Sequence, residues 1–504
     1  MGNRSFAGGW HVAADNPNGN QWRTLDKDLN RIERLEYATQ FVARPMIGFG
    51  VSLAFIVFAA LGAAVFLDME ARSYVVIAAA AFGAYMALNI GANDVANNMG
   101  PAVGANALTM GGAIVIAAIC ESAGALLAGG DVVSTISKGI IQPESVSAQD
   151  VFIWAMMAAL ISSALWVNLA TWVGAPVSTT HSVVGGVMGA GIAAAGFTAV
   201  NWGTMSAIAA SWVISPVLGG LIAAMFLWFI EERIINQTDK IAAAKRWVPV
   251  LIAIMGGAFG MYLALKGLKK IIKIDLTTAI GIGLAAAVVI YLISVPVIRR
   301  QAQGLENRNR SLKVLFGIPL VISAALLSFA HGANDVANAV GPLAAIVHAE
   351  SFGEFAGKVS IPLWVMVIGA LGISFGLVAF GPKLIRMVGA QITKLNPMRA
   401  YCVALSAAIT VIVASWLGLP VSSTHIAVGG IFGVGFFREW YQDRRRQNLA
   451  KAKAKPPVAV EERRRRKLVR RSHFMTIIAA WVITVPAAAL LSAVIYLVLH
   501  AMFV

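Results

Sequence analysis

Charge is scarce in this chain. Only 13% of its 504 residues are charged, against about 25% in a soluble globular protein. From Gly139 to Glu232 there is no lysine or arginine at all. So thin a covering cannot keep a body of 53.1 kDa in water, which excludes a soluble enzyme. Cysteine is nearly absent as well. Cys120 and Cys402 each sit in an apolar stretch and read as small core residues, which excludes a disulfide scaffold and a thiolate metal site. What fills the chain instead is apolar: hydrophobic residues make up 58% and mean hydropathy is +0.75. That excess excludes a disordered chain and points to an all-α polytopic membrane protein.

The net charge of +16 does not indicate a nucleic-acid partner. Much of the excess lies in one loop, 438–473, which holds fourteen basic residues, among them Arg444 to Arg446 and Arg463 to Arg466. Basic loops beside apolar spans are what membrane orientation produces. The loop reads as a cytoplasmic linker or as a contact for anionic lipid.

Residues 1–45 are polar and mix both charge signs, so no signal peptide is expected in them. Within them Leu25, Leu29, Ile32 and Leu35 recur at helical spacing, predicting an amphipathic membrane-surface helix or a capping helix. Apolar runs follow near 46–67, 74–92, 110–130, 152–172, 181–198, 206–230, 248–265, 276–297, 314–332, 361–381, 400–417, 421–437 and 474–503. Span length predicts about ten to twelve true membrane helices among them. The runs 74–92 and 314–332 lead into Gly/Asn-rich segments and are expected to be broken there. The expected organisation is a tail over 1–45, a first membrane half over 46–230, a connecting segment with two spans over 231–313, and a second half over 314–504.

The chain repeats itself. Gly91-Ala92-Asn93-Asp94-Val95-Ala96-Asn97 recurs unchanged as Gly332-Ala333-Asn334-Asp335-Val336-Ala337-Asn338. Pro176-Val177-Ser178-Thr179-Thr180-His181 matches Pro420-Val421-Ser422-Ser423-Thr424-His425, and Trp212-Val213-Ile214 matches Trp481-Val482-Ile483. Equivalent loops differ in charge. The turn after His181, near 196–204, has no basic residue, whereas loop 438–473 has fourteen; turn 131–150 has one and its counterpart 382–399 has four. Opposite charge means opposite sides of the membrane, so the repeats are inverted, as in many secondary transporters. The tail and loops 231–247, 299–313, 382–399 and 438–473 are then cytoplasmic. Lys266, Lys269, Lys270 and Lys273 resist this assignment, because they fall outside.

Gly, Asn and Asp compete with helical hydrogen bonding, and an intramembrane acid is costly and marks function. Two matched copies make Asp94 and Asp335, with Asn93, Asn97, Asn334 and Asn338, candidates for a site. Pro-Val-Ser-x-Thr-His reads as a helix start, whose free N–H groups and hydroxyls suit a small anion. His181 and His425 close these motifs, as neutral rings bonding a carbonyl or as proton carriers. Glu121, another acid inside a span, either bonds a backbone group while protonated or carries a coupling ion. The segments with the four motifs contain no lysine or arginine. An oxyanion entering beside two aspartates would be repelled at low dielectric, and a helix end supplies only about half a charge. A mobile cation, Na⁺ or a proton, must travel with it.

The doubled motifs resemble those of the inorganic phosphate transporter (Pit) family, over about residues 74–504 less the connecting loops. The resemblance implies inverted repeats, a phosphate site where they meet, symport with Na⁺ or H⁺, and a homodimer. It implies Asn93, Asp94, Asn334 and Asp335 with Ser178, Thr179, Thr180, Ser422, Ser423 and Thr424 as the phosphate shell. Asp94, Asn97, Glu121, Asp335 and Asn338 would serve the coupling ion. Glu121 matches an acid of Na⁺-coupled members, which also carry a glutamate ahead of the second Pro-Val-Ser motif; here Tyr401 to Leu405 contains none. The expectation is a phosphate symporter working by alternating access, with no cofactor beyond the coupling cation, in a bacterial inner membrane. A permease for another tetrahedral oxyanion such as sulfate is the alternative. An uncoupled channel fits less well, since anion pores use fixed cations or positive dipoles. No phosphate-loop or metal-ligand spacing suggests an enzyme.

Overall fold

The computed structural model describes residues 47–66, 73–146, 148–173, 177–267, 274–352, 361–391, 396–452 and 471–504. The predicted helix around Leu25–Leu35 lies outside them. Val51–Val504 form one compact unit, which holds the repeats. Among the described residues the chain is helical throughout; its one strand-like feature is an isolated bridge between Ile141 and Val200. The helices are α1 (Ile47–Val65), α2 (Ser73–Gly104), α3 (Met110–Ala128), α4 (Gly130–Lys138), α5 (Gln149–Val173), α6 (Thr179–Ala195), α7 (Trp202–Ile230) and α8 (Lys240–Lys266). They continue with α9 (Leu276–Gln301), α10 (Asn309–Leu315), α11 (Gly317–Phe352), α12 (Leu363–Gln391), α13 (Pro397–Trp416), α14 (Ser423–Ala452) and α15 (Arg471–Phe503).

Among the described residues, 11 helices are long and apolar enough to cross a membrane, within the expected range. Two expected spans behave otherwise. In place of 181–198 stands α6, whose 17 residues reach about 26 Å, short of the ~30 Å hydrocarbon core. In place of 421–437 stands α14, which begins at the buried Ser423 and runs on as helix through Arg438 to Ala452. The basic loop therefore starts as a helix. Both α6 and α14 begin inside the protein, so the breaks in the fold fall at the Pro-Val-Ser motifs.

The breaks expected at Gly-Ala-Asn-Asp do not occur. That motif lies within the 32 residues of α2 and, in its second copy, within the 36 residues of α11. Asn and Asp disrupt helices when they turn back on their own backbone. Here the Asn and Asp side chains of both copies hydrogen-bond to other helices, leaving the helical ladder intact. The glycines allow close approach. A Cβ at Gly91 would collide with the Ile373 carbonyl oxygen of α12, and one at Gly332 with the Glu121 carbonyl oxygen of α3.

The repeats run antiparallel. Gly83, early in α2, packs on Ala339 and Leu343 late in α11. At the other end the C-terminus of α2 shares a cavity with Lys313 and Gly317, where α11 begins. The repeats also exchange partners. Gly189 of α6 packs against Ala489 of α15 in the second repeat, and Gly433 of α14 packs against Gly220 of α7 in the first. Around this core α9 turns Leu284, Val288 and Leu292 outward, an apolar face suited to lipid.

Lys266, which resisted the charge rule, has a structural role. Its ammonium pairs with Asp131 of α4 and lies 3.4 Å from the Trp416 carbonyl oxygen at the end of α13. Lys269, Lys270 and Lys273 lie outside the described residues.

Candidate functional site between the repeats

Ser178 and Ser422 are the N-caps of α6 and α14. Ser178 Oγ accepts from the His181 amide at 3.1 Å and Ser422 Oγ from the His425 amide at 3.3 Å. Each cap fixes a helix start whose remaining first-turn N–H groups face inward. The two starts meet at the centre, where the His181 and His425 rings pack edge to face with centroids 4.5 Å apart, and Trp212 covers His181 at 3.9 Å. Trp212 Nε1 also donates to the Pro420 carbonyl oxygen at 3.1 Å, tying α7 to the other repeat's turn. Pro176 lies outside the described residues.

The six motif residues of α2 and α11 divide into three matched pairs. Asn93 Nδ2 donates to Thr171 Oγ1 at 2.9 Å, and Asn334 Nδ2 donates to Ser415 Oγ at 3.0 Å. Asn334 also donates to the Leu419 carbonyl and accepts from the Val421 amide. This first pair therefore braces the chain that leads into each half-helix. The second pair faces the half-helix starts: Asn97 Nδ2 donates to Thr424 Oγ1 at 2.8 Å and Asn338 Nδ2 to Thr180 Oγ1 at 3.0 Å. The third pair is the aspartates, each 1% exposed. Thr424 Oγ1 donates to Asp94 Oδ1 at 3.0 Å. Thr179 Oγ1 lies 3.1 Å from Asp94 Oδ2 and 3.3 Å from Asp335 Oδ2, so its single proton is shared between two carboxylates. All ten expected phosphate-shell residues thus converge on one region, eight around the two half-helix starts and two behind them as braces.

The pairing is incomplete. Asp335 Oδ1, Asn338 Oδ1 and Ser423 Oγ are buried without a hydrogen-bond partner among the described residues. Buried polar atoms are rarely left so, and all three are oxygens able to coordinate a cation.

Glu121 joins the same region through groups that sequence reasoning missed. Asn98 Nδ2 donates to Glu121 Oε1 at 2.9 Å. His331, which directly precedes the second motif, is fully buried; its Nδ1 lies 3.3 Å from Glu121 Oε1 and its Nε2 lies 3.3 Å from Asp335 Oδ2 and 3.8 Å from Asp94 Oδ2. These are contacts by distance: both ring nitrogens stay without a hydrogen-bond partner among the described residues. Asp94, His331 and Asp335 offer ligand atoms within 4.8 Å of one another. Position 121 corresponds to Ile373, not to the neighbourhood of Met366: Ser122 and Ser374 hydroxyls meet at 2.7 Å, and both flanking residues receive a motif glycine on their carbonyl. Glu121 thus lacks an acidic counterpart, as expected.

Helices that start inside the protein, a polar site shared by antiparallel repeats, and buried acids with no lysine or arginine beside them among the described residues define a secondary transporter. The pattern of the Phosphate transporter family matches residues 90–492, and the chain belongs to that family. It is an integral membrane protein that transports phosphate, and it is not an enzyme. "Putative phosphate permease" of Helicobacter pylori (strain J99) is 44% identical, covering 94% of this chain and 98% of that protein. "Inorganic phosphate transporter 2-1, chloroplastic" of Arabidopsis thaliana is 36% identical, covering 82% of this chain and 70% of that protein. A solved structure, "The sodium-dependent phosphate transporter", matches with a TM-score of 0.77 and 35% identity, covering 85% of this chain and 100% of that one.

Proposed function

We propose that this protein is a Na⁺-coupled phosphate symporter that works by alternating access at the site between its repeats. The observation that carries the reading is the charge balance. Asp94, Asp335 and Glu121 are three buried carboxyl groups facing one histidine, with no lysine or arginine among the described residues of the site. With the acids ionised, even a fully protonated His331 leaves two negative charges before phosphate arrives. Two like charges 4 Å apart repel by about 4 kcal/mol at an effective dielectric of 20, so the anion enters only in company with cations. Na⁺ is favoured over a proton by the carboxylate oxygens of Asp94 and Asp335, which come within 4.8 Å of one another, since hard cations take oxygen ligands. The name of the matching solved structure points the same way.

Phosphate is held at the starts of α6 and α14 by the first-turn N–H groups and by Thr179, Thr180 and Thr424. A phosphate that still carries a proton can donate to Asp94 or Asp335, which sulfate cannot do. That difference selects phosphate over sulfate. The basic loops support a cytoplasmic N-terminal tail and loop 438–473, in a chain read here as a homodimer of a bacterial inner membrane. Radiolabelled uptake into proteoliposomes tests the reading. An inward Na⁺ gradient should drive accumulation, a pH gradient alone should not, and excess sulfate should compete weakly. Accumulation that persists with every ion gradient collapsed would overturn it.

A further inference from the structure

A second cluster of positive charge lies away from the central site. A cavity of about 660 Å³ is walled by Gly104 at the end of α2 and the turn 105–107 after it, by Lys313 and Gly317 where α10 meets α11, and by Asn396 and Arg399 at the start of α13. No acidic residue among those described lines it. Among the described residues neither Lys313 nor Arg399 forms an ion pair. Arg438 and Glu231 both act on Arg399, and neither lines the cavity. Asn106, in the wall, adopts φ 58° as the left-handed residue that closes α2, and the next amide, Ala107, donates back to the Ala102 carbonyl oxygen.

A short run of α2 separates the cavity from the transport site. From Asn97, which holds Thr424, to Gly104 at the cavity wall is seven residues of continuous helix, about 10 Å. It lies at the end of the molecule where α2 finishes and α11 begins, the cytoplasmic end under the proposed orientation. It is also one-sided. Thr171 and Ser415 are equivalent braces, and the same offset pairs Arg399 with Ala155. The inverted repeat thus carries no such arginine at the opposite mouth.

We propose that this cavity is a second phosphate site, independent of Na⁺, where the anion pauses between the central site and the cytoplasm. The inference rests on the proposed cargo and orientation. Fixed cations replace here the mobile cations that the central site requires, so the two sites differ in their ion dependence. An arginine and a lysine are suited to an oxyanion by charge-assisted hydrogen bonds, and an open cavity keeps the ion hydrated and its exit fast.

The test is equilibrium binding of ³²P-phosphate to the full chain in detergent, with choline replacing Na⁺, on an Asp94→Asn/Asp335→Asn background that disables the central site. One phosphate per chain should still bind. Adding Lys313→Gln and Arg399→Gln should weaken that binding at least about tenfold, while the charge-conserving Lys313→Arg and Arg399→Lys pair should retain it. Equal binding with and without the glutamines would overturn the proposal. So would its displacement by phosphatidylglycerol in nanodiscs, which would mark a lipid-headgroup site. In the otherwise native chain the glutamine pair should leave Na⁺-dependent binding in place and reduce inhibition by phosphate loaded on the cytoplasmic side. Loss of Na⁺-dependent binding in the native chain, with the choline signal unchanged, would count against the symport reading alone.

Discussion

The two repeats agree where they would meet the anion and disagree beside it. Asn97 reaches Thr424 as Asn338 reaches Thr180, Asn93 braces Thr171 as Asn334 braces Ser415, and Ser178 caps as Ser422 caps. The disagreement is concentrated. Asn98 corresponds to Ala339, His331 to Ile90 and Glu121 to Ile373, and Glu121 touches both of the other polar members. Duplication therefore supplies a two-fold cradle of hydroxyls, amides and helix starts. Single-sided substitutions then add charge on one flank only.

The comparison is broken most severely at the aspartates. Asp94→Asn and Asp335→Asn should each lower Na⁺-driven phosphate uptake at least about 100-fold, since each removes a charged partner from buried hydrogen bonds. Both proteins should elute as folded species in size-exclusion chromatography. If one variant transports normally, the equivalence of the repeats fails. Next come the glycines. Gly91→Val and Gly332→Val force side chains into the carbonyl groups of Ile373 and Glu121 and should cost at least about 1–3 kcal/mol each. Thermal denaturation in detergent should show similar losses for the two, with Gly62→Val, in open space, as the control.

A milder change sharpens the asymmetry. Glu121→Gln should raise the Na⁺ concentration for half-maximal uptake by about tenfold, an effect of ordinary size for a charge a few ångströms away. Substituting its counterpart, Ile373→Gln, should leave the Na⁺ dependence unchanged. The smallest effect lies outside both repeats. Asp275 caps α9, and its hydrogen bond from Thr278 holds the carboxyl below the usual carboxylate range. A lowered folded value means the cap stabilises above about pH 4 and fades as pH falls through that lower value. Asp275→Asn should therefore melt slightly below wild type at pH 7, and the two curves should converge near the acid end.

Much of this was legible in the residues. Identical seven-residue copies expose the duplication, and the lopsided basic loops expose its inversion. Pro-Val-Ser marks the half-helix starts because the capping serine acts within three residues of itself. What could not be read locally depends on partners from elsewhere. The helices run unbroken through Gly-Ala-Asn-Asp because Thr171, Thr179, Thr180, Ser415 and Thr424 take up the polar groups from other helices. His331 lies far from Glu121 in sequence, and only packing brings the two together. A signal existed all the same: a histidine at the edge of an intramembrane acidic motif has few reasons to be apolar packing. The match of Glu121 to Ile373 was hidden by a change of spacing. The motif glycines are 332 − 91 = 241 residues apart, whereas Ser122 and Ser374 are 252 apart.

The exchange of partners between repeats bears on how the protein is made. When α6 leaves the ribosome its companion α15 does not yet exist, and the surface around Gly189 that will meet Ala489 is uncovered. The early half must wait in the bilayer or under an insertase until the last helix arrives. A premature stop codon anywhere before α15 therefore leaves no working half-transporter behind, and quality-control proteases would meet an open seam. Two separately translated halves, supplied together in one cell, have the complementary seams needed to close into a whole.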